Sequence, residues 1–360
     1  MRAFIAVVLA VCLPGLGGRT AAQPREAVSV ERLDPAVDAL IPKQATPELV
    51  KGDYFGFLEG PVWVREGGYL LFSDVAANRI YKWTPRSGRD ATRDRELTTY
   101  LDNSGFTGAD TSKVGLEVNN GRLHVIALGS NGITLDRDGR VVFAAHGDRA
   151  VKRLEKDGAI TILADRYEGK RLSGPNDLVY RSDGILYFSD LYGGVRGGAS
   201  SPYRELPYFG LFMLNGGTVT LLDKDPLGGG PNGVAFSPDE RYLYVGNAAG
   251  VTIIRYETRP DGTLANRRAL ITMNPDKGPG GADGIKVDRK GNIYAAGPGG
   301  VWIVSPDGRH LGTIRIPHAA NIAFGDSDAR TLYITAQRDL YRMRVTVAGT
   351  PPGPAARPQR

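Results

Sequence analysis

One short phrase occurs five times along the chain, and each copy opens on a polar residue able to offer oxygen to a metal ion. The copies are Glu59-Gly-Pro-Val-Trp63, Asn131-Gly-Ile-Thr-Leu135, Asn176-Asp-Leu-Val-Tyr180, Asn232-Gly-Val-Ala-Phe236 and Asp283-Gly-Ile-Lys-Val287. A looser sixth lies at Ala320-Asn-Ile-Ala-Phe324. If equivalent strands ring a common axis, Glu59, Asn176, Asn232 and Asp283 bring two carboxylates and two amide oxygens to one place. An all-oxygen set suits a hard divalent cation, Ca²⁺ first, with Mg²⁺, Mn²⁺ or Zn²⁺ able to use the same atoms. Such an ion polarises a carbonyl and lowers the pKa of a bound water. Taken singly, each Asn-Gly or Asp-Gly is an ordinary turn dipeptide. The case for a site rests on the column, and on the cost of burying a carboxylate in an inner channel without a partner.

The elements that would position this column also repeat. Each copy is followed by a turn rich in Asp and Gly, such as Asp136-Arg-Asp-Gly139 or Asp288-Arg-Lys-Gly291. A strand of aromatic and β-branched residues comes next, as in Leu186-Tyr-Phe-Ser-Asp190 or Tyr242-Leu-Tyr-Val245. Third and fourth strands follow, for example Gly300-Val-Trp-Ile-Val304 and Ile160-Thr-Ile-Leu163. Units of this kind repeating every 38 to 72 residues predict an array of similar units. Four radial strands per unit is the β-propeller pattern, here all-β with six blades. The sixth unit shows three clear strands, so the segment around Glu48-Leu-Val50 is expected to supply its outer strand and close the ring. Inserts at about 89–129 and 192–208 are expected to lie over one mouth, where long loops carry function.

The boundaries that follow are a signal peptide over 1–22, an extended leader over 23–45, the propeller over 46–347 and a disordered tail over 348–360. Arg2, the apolar run Ala3 to Leu16 and the small residues Thr20-Ala-Ala22 form an export signal, which implies a periplasmic or secreted protein. That run is shorter than the roughly 20 residues of a membrane-spanning helix. The one cysteine, Cys12, lies within it, so the mature chain would have no thiol or disulfide chemistry. The formal charge of +6 is scattered, with no one-signed stripe and no nucleic-acid motif. A monomer is the default for a closed ring.

At this point the chain resembles the gluconolactonase/senescence-marker-protein (regucalcin-like) family of six-bladed propellers, in its exported bacterial form. The resemblance is carried by Glu59-Gly-Pro-Val-Trp63, Phe72-Ser-Asp-Val75, Arg171-Leu-Ser-Gly-Pro-Asn-Asp177, Gly230-Pro-Asn-Gly-Val-Ala-Phe-Ser-Pro-Asp-Glu-Arg241 and Gly281-Ala-Asp-Gly-Ile-Lys-Val-Asp288, in order over about 45–345. It implies hydrolysis of a sugar lactone such as glucono-1,5-lactone, with a cation held by Glu59, Asn232 and Asp283. Asn176 would be a further ligand or a substrate contact, and Asp283 would also act as general base. Asn176 and Asp177 would hold sugar hydroxyls, and Asn131 would be a wall of the site. Animal members carry Arg where this chain has Gly174, so the sugar contacts are expected to differ.

Two other functions remain open on the same residues: hydrolysis of phosphotriesters or aryl esters, and a non-catalytic propeller with a structural ion. The glycine run Gly228-Gly-Gly-Pro-Asn-Gly233 leads into strand-like sequence and is rejected as a dinucleotide motif. His146 and His318 could lie near the axis, with a structural or supporting role favoured for each. Asp74 and Asp190 read as hydrogen-bonded blade residues.

Overall fold

The computed structural model describes residues 27–85, 96–224, 230–247 and 249–354, and the segment expected to be an export signal lies outside them. Short apolar runs separated by Gly- and Asp-containing turns form antiparallel strands, and among the described residues the only helices are short 3₁₀ turns. The strands make six blades of four antiparallel strands each, one of them widened to five. The six innermost strands are Leu58–Val64, Ser130–Leu135, Pro175–Tyr180, Pro231–Phe236, Ile285–Val287 and Ala319–Gly325.

The ring closes as expected. Glu48–Lys51 forms the outer strand of blade 6 by pairing with Asp339–Arg344, in register Glu48 to Arg342. Between blades the core is built from large aromatic and aliphatic side chains. Trp63 of blade 1 stacks on Tyr333 of blade 6 with ring centroids 5.5 Å apart. Tyr187 of blade 3 meets Phe236 of blade 4 edge-on at 4.9 Å, and Tyr294 of blade 5 meets Phe324 of blade 6 at 5.2 Å. Such pairs add to the burial of the rings themselves and fix how neighbouring blades sit.

The described segments that flank the ring pack against it. The leader is not a loose extension: Ser29–Arg32 adds a fifth strand to blade 5 against His310–Arg315. Val37, Leu40 and Ile41 are then buried with Leu311, Ile314 and Ile316, so three apolar residues in a short stretch suffice as an anchor. Of the tail, residues 348–354 are described. Gly349 bridges Asp288, and Thr350 donates its N–H to Val287 O at 3.0 Å, which draws the chain across the lower mouth of the channel. There Thr350 to Gly353, together with Pro61, Trp63 and Phe324, bounds a cavity of about 240 Å³.

Candidate active site on the propeller axis

The polar column sits where the inner strands begin, and the strands are irregular there for a reason. The pairing register shifts between Glu59 and Val62, between Pro175 and Leu178, between Pro231 and Val234 and between Ala319 and Asn321. A bulge bends a strand and re-aims a side chain, and here one falls beside each of these polar residues. The glycine that follows serves close approach. A Cβ on Gly60 would lie 2.0 Å from Asn131 O, and one on Gly233 would lie 2.2 Å from Asp283 O. Neighbouring inner strands therefore touch backbone to backbone beside the column.

Two blades place an Asx residue where the others have this glycine. Asp177 and Asn321 each accept the next residue's N–H on their own Oδ1, at 2.9 Å in both cases. Asp177 also receives the Val234 N–H at 3.4 Å, which ties blade 3 to blade 4. Asn321 donates from Nδ2 to Glu59 Oε2 at 3.4 Å. Lys286 joins the two, its Nζ 3.8 Å from Asp177 Oδ2 and 3.5 Å from Asn321 Oδ1.

Glu59, Asn131, Asn176, Asp177 and Asn232 are all buried, while Asp283 keeps some exposure. Burial drives the electrostatics. The Glu59 carboxyl is pushed up to about 7, first by burial and then by the Asp177 charge, against the pull of the Gly60 N–H, the Asn321 amide and Lys286. Asp283 is held well above the ordinary carboxylate range by burial, by Glu59 and by Asp177, although the Asn232 amide and the Gly284 N–H bond to it. The Asp177 charge thus opposes ionisation of Glu59, and the charges of Glu59 and Asp177 oppose that of Asp283.

The amide oxygens point the same way. Asn131 Oδ1 and Asn232 Oδ1 are buried without a hydrogen-bond partner. An unpartnered buried acceptor costs free energy, and a cation beside the crowded carboxylates would satisfy Asn232 Oδ1. Among the described residues no three His, Cys, Asp or Glu side chains form a metal cluster. The donor set here is of another kind, carboxylates mixed with amide oxygens, and it fits a hard cation.

The two inserts pack against each other, and the second brings Tyr192 near Asp283. The hairpin Leu116–Asn119 and His124–Ala127 reaches the second insert through the Val114–Val195 bridge and the Arg196–Glu117 ion pair at 2.7 Å. Residues 89–95 of the first insert lie outside the described residues. Tyr192 packs edge-on against Phe209 at 5.6 Å, and its phenol is pushed up by burial and by the Asp283 charge. His146 is buried between blade 2 and this loop, with neither ring nitrogen hydrogen-bonded. A Cβ on Gly193 would come within 2.5 Å of its ring. Asp74 and Asp190 are blade residues as expected: Asp74 accepts the N–H groups of Gly56, Phe57 and Ala77, and Asp190 those of Ser173 and Gly174.

Sequence reasoning had not picked out Lys286, Tyr192 or the role of Asn321. The signal for Lys286 was available, since the equivalent positions Val62, Thr134, Val179 and Ala235 are uncharged.

The model of the SMP-30/Gluconolactonase/LRE-like region matches residues 57–338. The chain belongs to that family. It is 33% identical over 331 residues to a gluconolactonase of Zymomonas mobilis, covering 89% of this chain and 87% of the relative. It is 27% identical to the pentonolactonase XacC of Haloferax volcanii, covering 77% and 80%. Its fold superimposes on XC5397 of Xanthomonas campestris, described as a gluconolactonase, with a TM-score of 0.71 and 28% identity over 90% of this chain and 99% of that one. The matched family region includes every member of the axial column.

Proposed function

We propose that the protein is a lactonase that opens a sugar lactone such as glucono-1,5-lactone to the free acid, with a divalent cation on the propeller axis. The observation that carries this reading is the crowding of Glu59, Asp177 and Asp283 beside the unpartnered amide oxygen of Asn232. Family membership and the named activities of the relatives support the same reaction.

Glu59, Asn176, Asn232 and Asp283 would hold the ion, with Ca²⁺ the leading candidate and Mg²⁺, Mn²⁺ or Zn²⁺ alternatives. A cation bound there supplies stabilisation for the negative charge that develops on the lactone carbonyl oxygen. Asp283 takes a proton from the attacking water. Asn232 donates to Asp283 and fixes the carboxylate that does this work. The C–O bond of the ring then breaks, and Asp283 returns the proton to the departing ring oxygen. One water and one lactone give one hydroxy acid, with no net proton left on the protein. Asn176 and Asp177 bind sugar hydroxyls, and Asn131 walls the site.

The export signal would deliver the mature chain to the periplasm or beyond, and closure of the ring within one chain favours a monomer. Asp283→Asn tests the catalytic role: turnover on glucono-1,5-lactone should fall on the order of 10²–10⁴-fold while the ring stays folded. Activity within a few-fold of wild type would remove Asp283 as the base.

A further inference from the structure

Lys286 extends from the inner strand of blade 5 and is only partly exposed. Its Nζ donates to Ile285 O at 3.0 Å and to Asn321 Oδ1 at 3.5 Å, and it pairs with Asp177 Oδ2 at 3.8 Å. Asn321 in turn donates to Glu59. Lys286 therefore touches the two Asx side chains that stand in the glycine column, on opposite sides of the ring, and reaches Glu59 through one of them. Among the described residues it is the cationic side chain that pairs with an axial carboxylate.

We infer that Lys286 is a positioning residue that sets the charge of the axial site, so that the site takes a divalent rather than a trivalent cation. The inference rests on the cation reading above. Glu59, Asp177 and Asp283 bring three negative charges when ionised, and Lys286 removes one. The two that remain are neutralised by a divalent ion, whereas a trivalent ion leaves a buried positive excess. Uncompensated charge in a poorly solvated channel is costly. The equivalent positions in the other copies, Val62, Thr134, Val179 and Ala235, carry no charge, so among these positions Lys286 alone offsets an axial carboxylate. It also holds Asn321 so that the amide faces Glu59.

The test compares Ca²⁺ and Tb³⁺ affinities of the chelator-stripped mature protein by calorimetry, for wild type, Lys286→Met and Lys286→Arg. Without the ammonium the site keeps three negative charges, and the Tb³⁺-to-Ca²⁺ affinity ratio should rise on the order of tenfold. Lys286→Arg keeps the charge and should leave the ratio as in wild type, even if both affinities change. A merely structural role predicts that Lys286→Met weakens both ions in parallel; an unchanged ratio overturns the inference and leaves the cation reading standing. Binding of neither ion to the wild type overturns both.

Discussion

Asn321 of blade 6 donates its side-chain amide to Glu59 of blade 1 at 3.4 Å, across the seam where the first and last blades meet. The bond joins ring closure to the axial site, because Glu59 is placed by a partner that exists only once the last blade has docked. Asn321→Ala removes that donor and one acceptor of Lys286. It should cost about 1–2 kcal/mol of stability and weaken divalent-ion binding several-fold. Urea unfolding and ion titration of the variant check both, and unchanged ion affinity would show that Glu59 needs no such support.

The glycine beside Asn232 has no room for a side chain. A Cβ at Gly233 would meet Asp283 O at 2.2 Å and Gly284 Cα at 2.7 Å, both backbone atoms. Gly233→Ala should therefore displace the Asp283 turn, costing about 2 kcal/mol or more and lowering kcat more than the loss of folded protein explains. Full activity from a stable Gly233→Ala protein would mean that the blades can separate here without harm.

His146 gives the metal-independent pH signature. Burial pushes its imidazole down to about 4 from the ordinary 6.5. The unfolded chain takes up the proton first as pH falls, so the stability of the neutral ring is complete above about 6.5 and is lost progressively toward pH 4. A shift of this size is roughly 3 kcal/mol. The fall in unfolding free energy between pH 7.5 and 4.5 should be smaller by about that amount in His146→Gln. Equal falls in the two proteins would contradict the buried neutral ring.

The N-terminal segment belongs to the fold, and Ile41 measures how much. Its side chain is fully buried against blades 5 and 6. Ile41→Ala should cost about 2–4 kcal/mol, read as a shift in the denaturation midpoint. A change below about 0.5 kcal/mol, the range of exposed sites, would show the segment to be dispensable.

The ring and the axial column were legible because both repeat. Glu59 and Asp283 stood out by replacing Asn at one position of a phrase that recurs, and Glu48-Leu-Val50 by the strand that the sixth unit lacked. What repetition did not carry stayed hidden. Asn321 lies one place later in its phrase than the other polar residues, in the glycine column, so it looked like a degenerate copy. Lys286 occurs once, and a lysine in a strand reads as solvent-facing until the neighbouring blades are in place. The glycine after each polar residue was legible only as a turn signal, whereas backbone contact between blades is what requires it. Val37, Leu40 and Ile41 lacked a periodic pattern because they fill a niche on blades 5 and 6 that forms only in three dimensions.

The central claim is tested most directly by acid release from glucono-1,5-lactone, using protein stripped with chelator and resupplied with Ca²⁺, Mg²⁺, Mn²⁺ or Zn²⁺ in turn. Glu59→Gln serves as control, and spontaneous hydrolysis is subtracted. The account predicts that stripping abolishes turnover, that at least one ion restores it, and that the same ion fails to restore Glu59→Gln. Turnover that survives complete stripping, or that returns equally in Glu59→Gln, would contradict a cation held on this axis as the centre of the reaction.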